Sequence, residues 1–126
     1  MSRALNDLDP RFRPLACELI ARAAEAGLAV LIVETRRTAA QQAVNVANGV
    51  SWVSHSKHED GLAIDICPYA QYALYGSDKL EWSPTAPVWD RLGAIGKRLG
   101  LRWGGDWAQR DLGHFEYLAP ATGATV

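Results

Sequence analysis

The sequence predicts an α+β fold, in which a small and mostly antiparallel sheet is flanked by about three helices. Some segments place apolar residues three and four positions apart, which is typical of a helix that covers a core. Other segments are short and are either continuously apolar or alternating, as strands are. The two kinds of segment are mixed along the chain without strict alternation, which favours the α+β class.

The first predicted helix covers about residues 10–26. Its apolar face comprises Leu15, Leu19, Ile20, Ala23 and Ala26. Asp9 is placed to cap this helix and Gly27 is placed to end it. The branched apolar run at residues 28–33 then predicts a buried strand.

A second helix is predicted over residues 38–47, with Thr38 as its N-terminal cap. Residues 50–60 are polar and predict a loop, which holds two of the three histidines. Residues 61–66 alternate between apolar and other side chains, so they predict a half-buried strand. In that strand the Asp65 carboxylate faces away from the core.

The last part of the chain predicts an ordered excursion, a helix and two strands. Residues 68–87 carry Pro, Gly, Ser and several aromatic residues and are interpreted as the excursion. The third helix follows from the spacing of Val88, Leu92, Ile95 and Leu99. Short strands are predicted at residues 101–103 and 113–118, and residues 119–126 form a small-residue tail that we expect to be loose.

The composition is that of an ordinary globular protein. With 126 residues, of which 48% are hydrophobic and 21% charged, we expect one domain spanning residues 1–126. The 13 basic and 14 acidic residues leave a net charge of −1, which argues against binding to nucleic acid. No apolar run approaches the ~20 residues that cross a bilayer, and the acidic N-terminal segment does not read as a secretory signal.

Two histidines and two aspartates form the constellation with the clearest chemistry. Histidine nitrogen and carboxylate oxygen are good ligands for Zn²⁺, and three protein ligands with a water are typical of a catalytic zinc site. His58, Asp65 and His114 converge on one metal if their two strands are neighbours. Asp111 precedes His114 by three residues and suits a general base. Each residue also fits a plainer role, since a lone histidine is often a satisfied polar residue and an aspartate near glycines often forms a turn.

Four segments resemble a family of zinc peptidases. Residues 56–65 read Ser-Lys-His-Glu-Asp-Gly-Leu-Ala-Ile-Asp and are similar to its Ser-x-His-x-x-Gly-x-Ala-x-Asp signature. Residues 111–114 resemble its acid-x-x-His motif, and the Trp-Gly-Gly-Asp-Trp sequence at 103–107 resembles the preceding segment of its phage endolysin branch. Residues 34–38 with Gln42 are similar to the segment that supplies an arginine. The family comprises D-Ala-D-Ala carboxypeptidases, D-Ala-D-Ala dipeptidases and L-alanyl-D-glutamate endopeptidases, and its fold is related to hedgehog domains.

The resemblance implies a role for each matching residue. The implied Zn²⁺ ligands are His58, Asp65 and His114. Asp111 is the implied general base. Arg37 is the matching arginine, with Arg36 as a less certain neighbour.

The implied function is zinc-dependent hydrolysis of the peptidoglycan stem peptide, at the L-alanyl-D-glutamate bond. We expect a monomeric endolysin that does not insert stably into membranes. It would be made in the cytoplasm and would reach the cell wall after holin-type release. Two alternatives keep the fold: a D-Ala-D-Ala carboxypeptidase or dipeptidase, and a non-catalytic zinc-stabilised binding module.

Several neighbouring residues have open roles. Glu116 shares a predicted strand face with His114, where it either supports that ligand or is a solvated strand acid. His55 is interpreted as a loop residue near the substrate, and Ser56 as a residue that either orients the loop or touches the substrate. A thiol peptidase based on Cys67 is a weaker alternative, because Cys67 and Cys17 are both expected to be buried and inert.

Overall fold

The computed structural model describes residues 2–51, 55–69 and 80–118. In these residues three helices and four strands confirm the predicted α+β class. In chain order they are α1 (Arg13–Glu25), β1 (Val30–Glu34), α2 (Ala39–Ala47), β2 (Ala63–Pro68), α3 (Val88–Arg98), β3 (Arg102–Trp103) and β4 (His114–Glu116). The predicted tail at 119–126 and residues 70–79 of the predicted excursion lie outside the described residues.

The four strands form one sheet in the order β1-β2-β4-β3, and every pairing is antiparallel. The two central strands pair in a register that sets Ile64 opposite Phe115 and Asp65 opposite His114. The other edge of β2 pairs with β1, where a bulge after Ile32 sets Glu34 opposite Asp65. Strand pairing therefore aligns three ionisable residues in one row across the sheet.

The two faces of the sheet have different environments because side chains alternate along each strand. One face carries Ile64, Ile66 and Phe115, which are fully buried in the core. The core is completed by residues of the helices and loops, including Leu8, Phe12, Leu19, Trp89 and Leu92. The opposite face carries the row of ionisable residues. The expected outward direction of Asp65 is thus found.

The helix α1 starts later than predicted and buries a slightly different face. The Asp9 carboxylate accepts hydrogen bonds from the backbone and the guanidinium of Arg11, so it does not cap the helix. Gly27 ends the helix as expected, with a φ of 81° that favours glycine. Ala26 was predicted on the apolar face but is exposed beyond the last turn.

The helix α2 and the strand β1 lie at the periphery. Thr38 caps α2 as predicted, since its hydroxyl accepts a hydrogen bond from the backbone N–H of Gln41 at 3.1 Å. The expectation that β1 is buried was wrong: Leu31 is 44% exposed, because β1 is an edge strand that pairs only with β2 in the described part of the chain. In the described part of the chain, no helix has the length and apolar character needed to cross a membrane.

Candidate metal centre

Three of the predicted site residues meet on the polar face of the sheet. Asp65 projects from β2, His114 projects from the neighbouring position of β4, and His58 comes from the turn that precedes β2. The His58 Nε2 and His114 Nδ1 atoms each lie 3.1 Å from the Asp65 Oδ1 atom. One ligand atom from each residue lies within 4.8 Å of the others.

His58 is held by its backbone and by the far side of its ring. The ring is 2% exposed, and its Nδ1 donates a hydrogen bond to the Thr35 carbonyl at 2.7 Å. The backbone N–H of His58 donates to the Ser56 hydroxyl at 3.1 Å, so Ser56 orients the loop as predicted. Because Nδ1 donates to the Thr35 carbonyl, the ring directs its Nε2 atom at Asp65.

His114 is also held by the ring nitrogen that faces away from Asp65. Its Nε2 donates a hydrogen bond to the Glu116 Oε1 atom at 2.8 Å, which leaves Nδ1 directed at Asp65. Glu116 is 5% exposed, so the alternative of a solvated strand acid is wrong. The Lys57 ammonium lies 3.7 Å from the other oxygen of Glu116 and balances its charge.

This donor set fits a tetrahedral metal ion. Bonds of about 2.0–2.2 Å to Zn²⁺ set neighbouring ligand atoms about 3.3–3.6 Å apart, close to the 3.1 Å that separates the Asp65 Oδ1 atom from each histidine nitrogen. Histidine ligands in such sites usually donate their second nitrogen to a carbonyl or carboxylate, as His58 and His114 both do. A structural site would supply a fourth protein ligand, whereas this cluster has three in the described residues. The arrangement is therefore suited to a metal with an open position.

The electrostatics of the cluster also favour a cation. Burial alone would raise the pKa of Asp65, but hydrogen bonds from His114 and His58 outweigh it and lower that pKa well below its usual range. Burial opposes the charged form of His114, whereas hydrogen bonds to Asp65 and Glu116 raise its pKa to about 9. Without a metal, the negative charge of these carboxylates thus stabilises the protonated form of His114.

Asp111 stands beside the cluster without joining it. Its Oδ2 atom lies 3.8 Å from the His114 Nδ1 atom, and its side chain is 45% exposed to the cleft. Burial and the negative charge of Asp65 raise the pKa of Asp111, which makes it a better proton acceptor. Gly104 permits this placement, since a Cβ atom there would lie 2.4 Å from the Asp111 carbonyl oxygen.

Arg37 also lines the cleft and is fixed by two side chains. Its guanidinium forms an ion pair with Glu34, which is 4% exposed and is brought here by the bulge in β1. The Arg37 Nη1 also donates to the Gln42 Oε1 at 2.6 Å. By contrast, Arg36 is exposed and contacts the Asp7 carbonyl at 3.4 Å. The structure thus places Arg37, rather than Arg36, in the cleft.

The cluster lines one cleft with a volume of about 520 Å³. His55 lies at its exposed rim, where its ring contacts Asp60 and Glu59. Cys67 is fully buried in the core and does not line this cleft, which argues against a thiol peptidase. The expectation that both cysteines are buried was wrong for Cys17, which lies on the outer side of α1.

Sequence reasoning missed three residues of the site. Glu34 lies within a family motif but was given no role, because its ion pair with Arg37 depends on the turn after β1 and not on a helical spacing. The Trp107 ring packs on the His114 ring, with 5.0 Å between their centroids, and helps to cover the cluster. Thr35 contributes only its backbone carbonyl, for which a side-chain pattern has no signal.

Comparison with curated proteins finds relatives that include two phage enzymes. The L-alanyl-D-glutamate peptidase of Escherichia phage T5 is 42% identical over 84 residues, which cover 60% of this chain and 57% of the relative. The L-alanyl-D-glutamate peptidase of Listeria phage A118 is 34% identical over 108 residues, which cover 82% of this chain and 35% of the relative. The chain thus spans less than two thirds of the length of either relative.

Solved structures share the fold. The L-Ala D-Glu endopeptidase ChiX of Serratia marcescens superposes with a TM-score of 0.70 at 19% identity, covering 90% of this chain and 83% of that chain. The vancomycin resistance D,D-pentapeptidase VanY, in complex with Zn(II), superposes with a TM-score of 0.60 at 20% identity. The match covers 94% of this chain and 76% of that chain.

The profile of the D-alanyl-D-alanine carboxypeptidase family of peptidases matches residues 49–117, more than half of the chain. The match includes the three clustered residues His58, Asp65 and His114 and the neighbouring Asp111. On this evidence the chain belongs to the D-alanyl-D-alanine carboxypeptidase family.

Proposed function

We propose that this protein is a zinc-dependent endopeptidase that hydrolyses the peptidoglycan stem peptide at the L-alanyl-D-glutamate bond. The observation that carries the proposal is the convergence of His58, Asp65 and His114 in a cleft that also presents Asp111 and Arg37. A metal-binding set alone would suit a structural role. The adjacent carboxylate and cation are the additional groups that peptide hydrolysis requires.

His58, Asp65 and His114 are the proposed metal ligands. A Zn²⁺ ion held there supplies Lewis acidity, which polarises a peptide carbonyl and lowers the pKa of bound water. Thr35 and Glu116 keep the outer nitrogens of the two histidines protonated, so that the inner nitrogens remain donors to the metal. The protein thereby sets the ligand geometry before the metal arrives.

Asp111 is the proposed general base and acid. It accepts a proton from the attacking water as the new C–O bond forms, and it donates that proton to the amine nitrogen as the C–N bond breaks. A raised pKa suits Asp111 both to accept this proton and to donate it. The remaining water proton stays with the new carboxyl group and then passes to solvent.

Arg37 is the proposed electrostatic partner of the carbonyl oxygen. Negative charge develops on this oxygen in the transition state, and a fixed cation stabilises it without reorganising. The ion pair with Glu34 and the hydrogen bond to Gln42 hold the guanidinium in one place. Arg37 therefore meets the requirement for a preorganised charge.

The choice of scissile bond rests on the two phage relatives, which are both named L-alanyl-D-glutamate peptidases. We propose an endolysin that acts on the cell wall after holin-type release, as a monomer of one catalytic domain. A D-Ala-D-Ala carboxypeptidase or dipeptidase is the second candidate, and the family profile and the likeness to VanY favour it. Both candidates use the same cleft.

Digestion of purified peptidoglycan tests the proposal. The zinc-loaded protein should release fragments with new L-Ala carboxyl and D-Glu amino ends, identified by mass spectrometry. Release of free D-Ala would instead support the carboxypeptidase or dipeptidase. No new ends with wild type and none with Asp111→Ala would support a non-catalytic binding module. Retained hydrolysis by Cys67→Ser would dismiss the thiol peptidase.

A further inference from the structure

Arg102 is a basic residue of the cleft that the proposed mechanism does not use. It lies on β3 and is exposed, and it lines the same cleft as His114 and Asp111. Its guanidinium carbon lies 5.6 Å from the centre of the Trp107 ring, which itself packs on His114. Arg102 is thus separated from a proposed metal ligand by one aromatic ring.

The charge of Arg102 is less compensated than that of the other basic residues in the cleft. Arg37 forms an ion pair with Glu34, and the Lys57 ammonium lies 3.7 Å from Glu116. Among the described residues, no carboxylate lies within ion-pair distance of the Arg102 guanidinium. Glu116 is opposite Arg102 in the β3–β4 pairing and interacts with its charge, but Glu116 already accepts a hydrogen bond from His114. An arginine on an indole face is partly desolvated and preorganised, and it remains able to bind an anion with two hydrogen bonds.

Arg102 lies on the same stretch of chain as Asp111, the residue that protonates the departing amine. Arg102, Trp107 and Asp111 belong to the stretch of chain that starts in β3 and leads to β4, whereas Arg37 belongs to the segment between β1 and α2. Asp111 is the group that returns a proton to the departing amine. An amine that receives this proton leaves its residue near Asp111, on the stretch of chain that also carries Arg102.

We propose that Arg102 is a specificity residue that binds a carboxylate on the amine-side residue of the scissile bond. This inference rests on the proposed function and deepens it. In a γ-linked D-Glu, the free α-carboxylate is attached to the same carbon as the scissile nitrogen. A substrate with this carboxylate offers Arg102 a planar anion, whereas the amidated form does not.

The test uses two synthetic peptides, N-acetyl-L-Ala-D-Glu joined through its γ-carboxyl to L-Lys, with the D-Glu α-carboxyl either free or amidated. Wild type should show a higher kcat/KM on the free acid. Arg102→Ala should reduce the acid-to-amide ratio of kcat/KM by about 10- to 100-fold, mainly through KM. Arg102→Lys should restore part of this ratio. If Arg102 had a merely structural role, Arg102→Ala would lower kcat/KM alike for both substrates, and that result would overturn the proposal.

Binding measurements separate this inference from the proposed function. Zinc-loaded Asp111→Asn protein, with and without Arg102→Ala, is titrated with each peptide by calorimetry. Tighter binding of the free acid that depends on Arg102 supports the inference even if wild type cleaves neither peptide, in which case only the proposed function is wrong. Equal binding of acid and amide, or no binding of either, overturns the inference.

Arg98→Ala provides the control variant. Arg98 is an exposed arginine on α3 and lines a different groove, with Arg22 and Glu25. Its removal changes the net charge by the same amount as Arg102→Ala. The acid-to-amide ratio should stay at the wild-type value in Arg98→Ala, and a comparable fall there would show a general effect of charge and overturn the inference.

Discussion

The two faces of the central sheet are built from the same strands but are stabilised differently. On the inner face, Ile64 and Phe115 are opposite each other and fully buried, so apolar burial stabilises them. On the outer face, the next pair along these strands is Asp65 and His114, which are ionisable and largely buried. Buried charges cost free energy unless they are paired. One face therefore stabilises the fold, and the other uses that stability to hold a reactive cluster.

The strongest test of this comparison removes a ligand from the outer face. His114→Ala should abolish stoichiometric zinc and lower hydrolysis by about 10³-fold or more, because the ligand set is incomplete. Elemental analysis and the peptidoglycan digestion assay measure the two effects. His55→Ala removes an exposed histidine from the same cleft rim and should keep its zinc. Full zinc occupancy in His114→Ala would contradict the proposed site.

The second test separates chemistry from metal binding on the outer face. Asp111→Asn should lower kcat by about 10²- to 10⁴-fold, since the amide cannot accept the proton. Zinc content should remain that of wild type, because Asp111 stands outside the ligand cluster. Steady-state kinetics with elemental analysis check both statements. Loss of zinc together with activity would show that Asp111 is a ligand.

The third test addresses the inner face. Phe115→Ala should reduce the free energy of unfolding by about 3–5 kcal/mol, because it leaves a cavity next to Trp103. Denaturant unfolding of the zinc-loaded protein measures the change. Leu31→Ala on the exposed edge strand is the control and should cost about 1 kcal/mol or less. Equal losses in the two variants would refute the assignment of Phe115 to the stabilising face.

The fourth test asks how much the metal stabilises the outer face. Free Zn²⁺ at a hundred times its Kd should stabilise the folded state by about 2.7 kcal/mol through mass action. For a chain of this length the gain corresponds to a rise in Tm of about 10 °C, measured by calorimetry before and after chelation. An unchanged Tm on chelation would indicate that the folded protein binds no zinc.

The smallest expected effect concerns the support of one ligand. Glu116→Ala removes the acceptor that holds the His114 Nε2, and it should weaken zinc affinity by about 10- to 100-fold. Competition with a chromogenic chelator measures this affinity. Unaltered affinity would mean that Glu116 serves the fold and not the metal site.

Much of the site was predictable, because its signals are local. The alternation around Asp65 and the spacing of Asp111 and His114 follow from strand geometry and short motifs. The partners of these residues were less predictable. Glu34 reaches the cleft through a bulge, and its pairing with Arg37 depends on how the chain turns after β1. The burial of Glu116 depends on neighbouring chain segments that no local pattern specifies.

The sequence by itself determined the three helices, the glycine stop of α1 and the side of β2 on which Asp65 projects, because propensity, capping and side-chain period act over a few residues. Only the tertiary structure decided that β2 and β4 are neighbours and that β1 lies at an edge. These features depend on contacts between residues far apart in the chain, where burial of the shared core selects one strand order and register.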